Sequence, residues 1–204
     1  MKKAQQIFFL LLFSSSIVFG QIDSLLFQKL DSLVLEDQKW RGLIKELNNG
    51  KIDTISWEVI SANLTYIDSL NFITVEQLFE EFGYLGYDKV GKQGSNNFWL
   101  LVQHCDKHPN FQLEVLKAME IQTRRGNASL ADFAYLTDRV KVNLGQLQVY
   151  GTQMKLNGSS DSYEPKPVID PENLNERRKL VDLITIEEYI KLMNERYYGT
   201  LKDK

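Results

Sequence analysis

Apolar residues recur every three or four positions over most of this chain, a spacing typical of amphipathic helices. The first such stretch covers residues 22–47, with apolar side chains at Leu25, Leu26, Leu30, Leu33, Val34, Trp40, Leu43, Ile44 and Leu47. Further stretches follow at 56–70, 74–83, 96–104, 109–125 and 185–197. With 43% apolar residues and only 4 prolines in 204 residues, the sequence predicts one compact, mainly helical domain over residues 21–204.

Polar capping residues and glycines mark where the predicted helices begin and end. Capping-box spacing occurs at Thr74 with Gln77, at Ser129 with Asp132 and at Thr185 with Glu188. Residues 84–94 contain three glycines and are predicted to form a loop. Residues 157–167 are rich in Gly, Ser, Asp and Pro, so we expect a second exposed loop there.

One segment breaks the helical spacing. Residues 139–142 and 147–150 alternate polar and apolar side chains on either side of the turn sequence 143–146. Alternation of this kind is typical of two strands joined by a tight turn. The sequence therefore predicts a mainly α (α+β) fold, a helical domain with one inserted β-hairpin near residues 139–154.

The N-terminus has the features of a secretory signal peptide. Lys2 and Lys3 precede the apolar run 7–19, which is shorter than the about 20 residues of a comfortable membrane span. Val18 and Gly20 fit a signal peptidase site, so we predict cleavage before Gln21 and a periplasmic or secreted protein with no stable membrane anchor after cleavage. An uncleaved membrane anchor is the alternative.

Charge and cysteine content exclude several classes of protein. The formal net charge is −3, and removal of Lys2 and Lys3 with the signal peptide makes it more negative. No basic stripe is present, so a nucleic-acid partner is not expected. Cys105 is the only cysteine, so it has no partner for an internal disulfide. We predict a small buried thiol, and a disulfide to a second chain is the alternative.

The two histidines are the most informative reactive side chains. His104 and His108 are four residues apart, which on one continuous helix would place both on the same face as metal ligands, with Asp106 as a third. Pro109 disfavours this arrangement, because the residue before a proline is pushed out of helical geometry. We therefore predict no metal site and no cofactor.

His104 also has the properties of a general base. The pKa of histidine lies near neutrality, and a carboxylate from Asp106 or Asp138 could orient the ring. Arg139 or Gln153 could then stabilise developing negative charge. The predicted catalytic residues are thus His104, Asp138 and Arg139. A structural alternative is that His104 caps the end of its helix, where a protonated imidazole is favoured by the helix dipole.

Polar side chains follow the predicted hairpin and suggest a ligand site. Residues with hydrogen-bonding side chains near it are Gln103, Asp106, Gln148, Tyr150, Thr152 and Gln153, which we predict to bind ligand. Neutral amides suit a polar, uncharged molecule such as a sugar or a peptide, whereas Arg139 could hold a carboxylate or a phosphate. In the alternative interpretation, Asp138 and Arg139 form an ion pair that locks the hairpin to the preceding helix.

Several of these motifs together resemble the bacterial domain of unknown function 6624. They are Asp37-Gln38-x-x-Arg41, Val90-Gly91, Val102-Gln103-His104-x-Asp106, Ala134-x-Leu136-x-Asp138-Arg139-Val140, Gly145-x-x-Gln148-x-Tyr150-Gly151-Thr152-Gln153, Ile169-Asp170-Pro171 and Arg177-Arg178. The resemblance covers roughly residues 28–189, and the segment 150–153 is its most specific part. No activity is established for the family. The resemblance implies that His104, Asp138, Arg139, Gln148, Tyr150 and Gln153 act together.

Two main functions follow from these residues. The first is an exported binding module with a polar cleft for a small or glycan-like ligand. The alternative is a hydrolase or lyase with His104 as general base. A third hypothesis, a role in protein assembly, depends on the aromatic side chains Trp40, Trp57, Trp99, Tyr197 and Tyr198, although aromatic residues at helical spacing are more often part of a core.

Four short segments have the Asp-Ser/Thr-apolar pattern of bacterial O-glycosylation sites. They are Asp23-Ser24-Leu25, Asp31-Ser32-Leu33, Asp53-Thr54-Ile55 and Asp68-Ser69-Leu70. Asp and Ser are also favoured where helices begin, which accounts for several of these positions without a glycan.

Overall fold

The computed structural model describes residues 22–48, 50–159 and 162–198, and this part of the chain is mainly helical. Its α-helices are α1 (Ser24–Asn48), α2 (Trp57–Phe82), α3 (Tyr87–Gln103), α4 (Pro109–Arg124), α5 (Leu130–Asn143), α6 (Leu174–Lys179) and α7 (Ile186–Tyr198). Two strands, β1 (Met154–Leu156) and β2 (Tyr163–Pro165), pair antiparallel. The prediction of a mainly helical fold with a small β-hairpin is confirmed, while the predicted signal peptide lies outside the described residues.

The hairpin lies downstream of its predicted position. Residues 139–143 are helical and form the end of α5, and residues 147–150 contribute only one isolated bridge, between Gln148 and Val168. Val140 is buried in the core one helical turn after Leu136, so the short alternation in this segment is equally compatible with a helix. The predicted loop 157–167 instead supplies β2, and Leu156 pairs with Tyr163.

One predicted break between helices is absent, and one predicted loop is shorter than expected. α2 runs without interruption through the proposed capping box, where Thr74 Oγ1 donates to the carbonyl of Leu70 at 3.3 Å instead of capping a new helix. In the predicted loop 84–94, α3 already begins at Tyr87 and bends at Gly91. The bend requires a φ of +70° at Gly91, which glycine adopts without the steric cost of a side chain.

Other predicted helix ends are confirmed. Ser129 Oγ accepts from the backbone N–H of Asp132 at 3.1 Å at the start of α5. Before α7, Glu188 accepts from both the backbone N–H and the hydroxyl of Thr185 at 3.0 Å. These bonds satisfy N–H groups that have no partner inside the helix, and so fix where each helix begins.

The core forms where α1 packs against α2 and α3 and where α4 packs against α5. Its completely buried apolar side chains include Leu30, Val75, Leu85, Phe98, Leu101, Val102, Val115, Met119 and Leu136. A smaller cluster of Leu174, Ile186 and Tyr189 holds α6 and α7 against Tyr135 and Met154. Burial of these side chains drives folding. No helix in the described ranges is both long and apolar enough to span a membrane.

Candidate functional site

A small open pocket of about 110 Å³ lies where the turn between α3 and α4 meets α1, α2 and α5. Its walls are mostly polar and charged, and consist of Arg41, Asp68, Ser69, His104, Cys105, Asp106, Lys107, His108 and Arg139. Sites for drug-sized ligands usually measure about 300–1,000 Å³ and are mostly apolar. This pocket is therefore suited to a small polar molecule or to one polar end of a larger one.

His104 follows the last residue of α3, and a carboxylate from α1 holds its ring. Nδ1 lies 3.0 Å from Oδ1 of Asp37, whose side chain is completely buried. Burial alone would raise the pKa of Asp37, but the hydrogen bond with His104 and the charges of His104 and Arg41 hold it below its ordinary value. An ionised carboxylate only accepts hydrogen bonds, so Nδ1 of His104 is the donor.

The other ring nitrogen of His104, Nε2, makes no hydrogen bond within the described part of the chain. In the neutral imidazole with its proton on Nδ1, Nε2 carries a lone pair. His104 lines the pocket and its side chain is 13% exposed, so a small molecule can reach it. The prediction that Asp106 or Asp138 orients the His104 ring is wrong, because Asp37 is the carboxylate that bonds to it.

Arg41 connects Asp37 to a second carboxylate. Its Nε donates to both oxygens of Asp37, at 3.1 and 3.2 Å, and its Nη2 donates to Oδ1 of Asp68 at 2.5 Å. Partial burial raises the pKa of Asp68 despite the opposing charge of Arg41. The two carboxylates therefore differ in chemistry, since Asp37 stays ionised while Asp68 accepts a proton more readily than an ordinary aspartate.

Asp106, two residues after His104, forms a bidentate ion pair with Arg139 of α5. Nε and Nη2 of Arg139 donate to the two oxygens of Asp106 at 2.8 and 2.6 Å. Burial would raise the pKa of Asp106, but the hydrogen bonds and charge of Arg139 lower it overall. This planar pairing fixes the guanidinium group against the pocket wall.

Gln112 of α4 fixes the turn that carries these residues. Its side chain is completely buried, and its Nε2 donates to the carbonyls of Val102 and Gln103 at 3.0 and 3.2 Å. The Gln103 carbonyl lies at the end of α3, where the helix supplies no partner for it, while the Val102 carbonyl also accepts from the backbone N–H of Cys105 at 3.0 Å. The predicted ligand residue Gln103 is buried and does not line the pocket, and the side chain of His104 bonds to Asp37 rather than capping the helix.

Cys105 and His108 line the pocket without the properties of a reactive group. The predicted burial of Cys105 is confirmed, since it is 3% exposed, and burial raises the pKa of its thiol to about 12. A thiol with that pKa is protonated at neutral pH and is a poor nucleophile. The His108 ring stacks on Phe72 with centroids 3.5 Å apart, and His108 precedes α4, as Pro109 predicts.

Three groups at the pocket lie close enough together to hold a metal ion. Asp37, Asp68 and His104 each place one ligand atom within 4.8 Å of the others. However, Arg41 donates to both carboxylates, so a cation would have to replace these hydrogen bonds and lie beside a guanidinium charge. The arrangement favours an organised hydrogen-bond network over a metal site.

The remaining predicted site residues lie in a different part of the fold. Asp138 is completely buried, and its carboxylate accepts hydrogen bonds from the backbone N–H groups of Val149, Tyr150 and Thr152 and from the Thr152 hydroxyl, at 2.7 to 3.0 Å. The ion pair between Asp138 and Arg139 considered as an alternative is not formed, because Arg139 pairs with Asp106. Asp138 thus holds a backbone loop in place and is not part of the pocket wall.

Gln148 and Gln153 stabilise the same loop. Gln148 is completely buried, its Nε2 donates to the carbonyls of Gln153 and Lys166, and its Oε1 accepts from the Gln153 backbone N–H at 2.7 Å. Gln153 Nε2 donates to Thr152 Oγ1 at 3.2 Å. The structure therefore uses the side chains of Gln148, Thr152 and Gln153 for internal hydrogen bonds, and neither these residues nor Tyr150 line the pocket.

Of the predicted site residues, the pocket brings together His104, Asp106 and Arg139. The main residues missed as site residues are Asp37, Arg41 and Asp68. One signal for the first two was present in the sequence. Asp37 and Arg41 are four residues apart and continue the face of α1 that carries Leu26 and Leu30, and a charged pair on an apolar helix face indicates buried partners.

Comparison with known proteins gives a family but no activity. No curated protein and no solved structure matches the chain significantly. The profile of a family of unknown function, DUF6624, matches residues 25–204, which include all the pocket residues described above. Because this match covers nearly the whole chain, the protein belongs to the family of unknown function DUF6624.

Proposed function

We propose that this protein is an enzyme that uses His104 as a general base, in a hydrolase or lyase reaction on a small polar substrate. The observation that carries the proposal is the 3.0 Å hydrogen bond between His104 Nδ1 and the buried Asp37. This pairing fixes the tautomer of the ring and stabilises the imidazolium that forms when Nε2 takes up a proton.

Asp37, His104 and Asp68 provide the groups for two proton transfers. In a hydrolysis Nε2 of His104 would take a proton from an attacking water molecule, and in an elimination from the substrate itself. Partial burial raises the pKa of Asp68 and its side chain is 27% exposed, so it is the second group at the pocket that can exchange a proton with the substrate. Two titratable groups with different environments are typical of acid–base sites.

Arg139 is suited to stabilise negative charge that develops on the substrate. Its bond to Asp106 holds the guanidinium in one orientation, so little reorganisation is needed when charge appears. Fixed positive groups of this kind account for a large part of the rate enhancement in many enzymes. His104, Asp37, Asp68 and Arg139 thus have separate roles around one pocket.

A binding module without catalysis is the second candidate. It is favoured by the ion pairs themselves, because Asp37, Asp68 and Asp106 are all paired with arginine, as expected for a rigid recognition site. A small or glycan-like ligand would then occupy this same pocket. The 148–153 segment is a poor cleft for it, since the side chains of Gln148 and Gln153 already bond within that segment and Thr152 bonds to Asp138 of α5.

Substitution of His104 by glutamine tests the enzyme proposal. We expect His104→Gln to reduce kcat/KM by about 100-fold on any substrate that the protein turns over, because loss of a general base typically costs about 10² to 10⁴ in rate. The measurement is a screen of chromogenic carboxylic esters, phosphate esters and glycosides, followed by kinetics of both proteins on the substrates found.

The matched control is His108→Gln, which removes the other histidine of the pocket, whose ring stacks on Phe72. We expect this variant to keep at least about half of the activity, since His108 has no carboxylate partner within the described ranges. Turnover that is equal in wild type and His104→Gln would exclude His104 as the base. Saturable ligand binding without turnover in the whole panel would favour the binding module.

We also propose that the chain is exported to the periplasm or secreted. The proposal is supported by Lys2 and Lys3 followed by the apolar run 7–19. The full-length chain expressed in a Gram-negative bacterium should yield a mature protein that begins at Gln21, as measured by intact mass after osmotic-shock fractionation. Replacement of both lysines by glutamate should slow its export, and an unprocessed chain in the cytoplasmic fraction of the wild type would contradict the proposal.

A further inference from the structure

We propose that the pocket binds an oxyanion, a carboxylate or a phosphoryl group of the ligand, through Arg41, Lys107 and Arg139. The inference deepens the proposed function, because it names the chemical class of the molecule that would meet His104, and it rests on that function only for the reaction that follows. Three cationic side chains from three different parts of the fold line a pocket of only about 110 Å³, in a chain whose formal net charge is −3.

The two arginines each keep hydrogen-bond donors free for a ligand. Arg139 uses Nε and Nη2 for Asp106, and Arg41 uses Nε and Nη2 for Asp37 and Asp68. In neither residue does Nη1 bond to any residue in the described ranges, and the two side chains are 28% and 26% exposed. Each guanidinium has five N–H groups in a fixed fork, so Nη1 still offers two of them.

The carboxylates hold these arginines in place before a ligand arrives. A free arginine side chain loses rotamer freedom when it binds a ligand, and this loss of entropy weakens binding. Arg139 is fixed by two bonds to Asp106 and Arg41 by bonds to two aspartates, so most of this cost is already met in the free protein. Planar donors held in this way match the geometry of carboxylates and phosphates.

Lys107 adds a cation that has no partner in the part of the chain that the structure describes. It is exposed, lies in the turn between α3 and α4, and forms neither an ion pair nor a hydrogen bond there. Within the described ranges, the side-chain acceptors of the pocket that remain free are Oδ2 of Asp68, Nε2 of His104, Oγ of Ser69 and one ring nitrogen of His108, against seven free N–H groups on Arg41, Lys107 and Arg139. The hydrogen-bonding groups of the pocket that still lack a partner are therefore mostly positively charged donors. An oxyanion satisfies such donors, whereas a cation or a purely apolar group does not.

The test measures binding of two simple anions, inorganic phosphate and acetate, with acetamide as the neutral probe. Isothermal titration and amide chemical-shift changes at low ionic strength would be recorded on the mature chain. We expect saturable binding of phosphate or acetate, with shifts around residues 104–108, and no saturation with acetamide. The anion that binds more tightly distinguishes a phosphoryl from a carboxylate ligand.

Two variants and one control locate the site. Arg139→Gln should weaken anion binding by about tenfold, the loss typical of one charge-assisted interaction, and Lys107→Gln, in an exposed turn where misfolding is not expected, should weaken it severalfold. Arg124→Gln is the control, because Arg124 also pairs with a carboxylate, on the surface of α4, and it should change the dissociation constant by less than about twofold. Equal losses in all three, or no saturable binding, would overturn the inference.

His104→Gln separates this inference from the proposed function. We expect it to bind phosphate or acetate within about threefold of wild type, since the anion contacts belong to Arg41, Lys107 and Arg139. Retained anion binding with wild-type turnover in His104→Gln would refute the general base but leave the oxyanion site intact. Turnover that depends on His104 in a protein that binds neither anion would refute the oxyanion site alone.

Discussion

Replacement of Asp138 by alanine is expected to lower the free energy of unfolding by about 4 kcal/mol. Asp138 is completely buried and accepts hydrogen bonds from three backbone N–H groups and one hydroxyl of the 149–152 segment. Alanine removes all of these acceptors at once, and each buried donor left unpaired costs about 1–3 kcal/mol. In a chain of this size the loss corresponds to a fall in Tm of about 8–16 °C.

Urea unfolding and thermal melting of the mature chain measure this effect. Asp53→Ala is the matched control, because Asp53 is exposed and makes no hydrogen bond within the described residues, so its free energy of unfolding should change by less than about 0.5 kcal/mol. Asp138→Asn should have an intermediate effect, since it keeps one acceptor oxygen. A change in Asp138→Ala as small as that in the control would show that the loop does not depend on this carboxylate.

A buried arginine binds a backbone carbonyl of the same loop, whereas Asp138 binds its N–H groups. Arg178 is completely buried and donates to the carbonyls of Tyr150 and Ile184, at 2.5 and 2.6 Å. Burial lowers the pKa of Arg178, which has no carboxylate in direct contact in the described ranges. The loop is thus held between an acceptor from α5 and a donor from α6, and Gly151 adopts a φ of +68° between them.

The bonds of Asp138 and Arg178 to this loop explain why polar residues of the family's motifs do not have to be site residues. Asp138 and Arg139 are neighbours on α5, yet one bonds the 149–152 loop and the other bonds Asp106 at the pocket. The loop and the pocket therefore share one helix, so a change at Asp138 can also move Arg139. A loss of activity in an Asp138 variant would need a stability measurement beside it before any catalytic role were assigned.

The helices were predictable from sequence because their apolar residues repeat over many turns. α1 and α4 match their predicted stretches closely, since each buries one continuous face. The hairpin was misplaced because four alternating residues at 139–142 do not distinguish a strand from the last turn of a helix. What decided the outcome was tertiary contact, since Leu136 and Val140 are both in the core.

The site was only partly predictable for a related reason. His104, Asp106 and Arg139 carried local signals and do meet at the pocket. Asp37 and Asp68 are 67 and 36 residues away from His104 in sequence, and only the packing of α1 and α2 brings them to it. A single sequence contains no direct record of such contacts, although the charged pair of Asp37 and Arg41 indicates that this face of α1 meets buried polar groups.

Replacement of Asp37 by asparagine tests the hydrogen-bond network that joins Asp37 to His104, Arg41 and Asp68. We expect the free energy of unfolding at pH 7 to fall by about 2 kcal/mol, less than the roughly 3–5 kcal/mol for one partner of a fully buried ion pair, because Arg41 keeps its bond to Asp68 and remains 26% exposed. Urea unfolding at several pH values measures the effect. Asp31→Asn is the control at pH 7, since Asp31 lies on the same helix and, among the described residues, accepts only from Asn97, at 3.3 Å.

The pH dependence of this difference identifies its cause. The pKa of Asp37 in the folded protein lies below its ordinary value of 3.8, so its ionised form contributes stability that is present above that value and is lost as the pH falls through the lower, folded pKa. The stability difference between wild type and Asp37→Asn should therefore shrink below about pH 4. A difference that stayed constant down to pH 2.5 would mean that packing, and not the charge of Asp37, holds His104 in place. The buried carboxylate would then not orient the ring electrostatically, and His104 would lack the fixed tautomer on which its role as a general base depends.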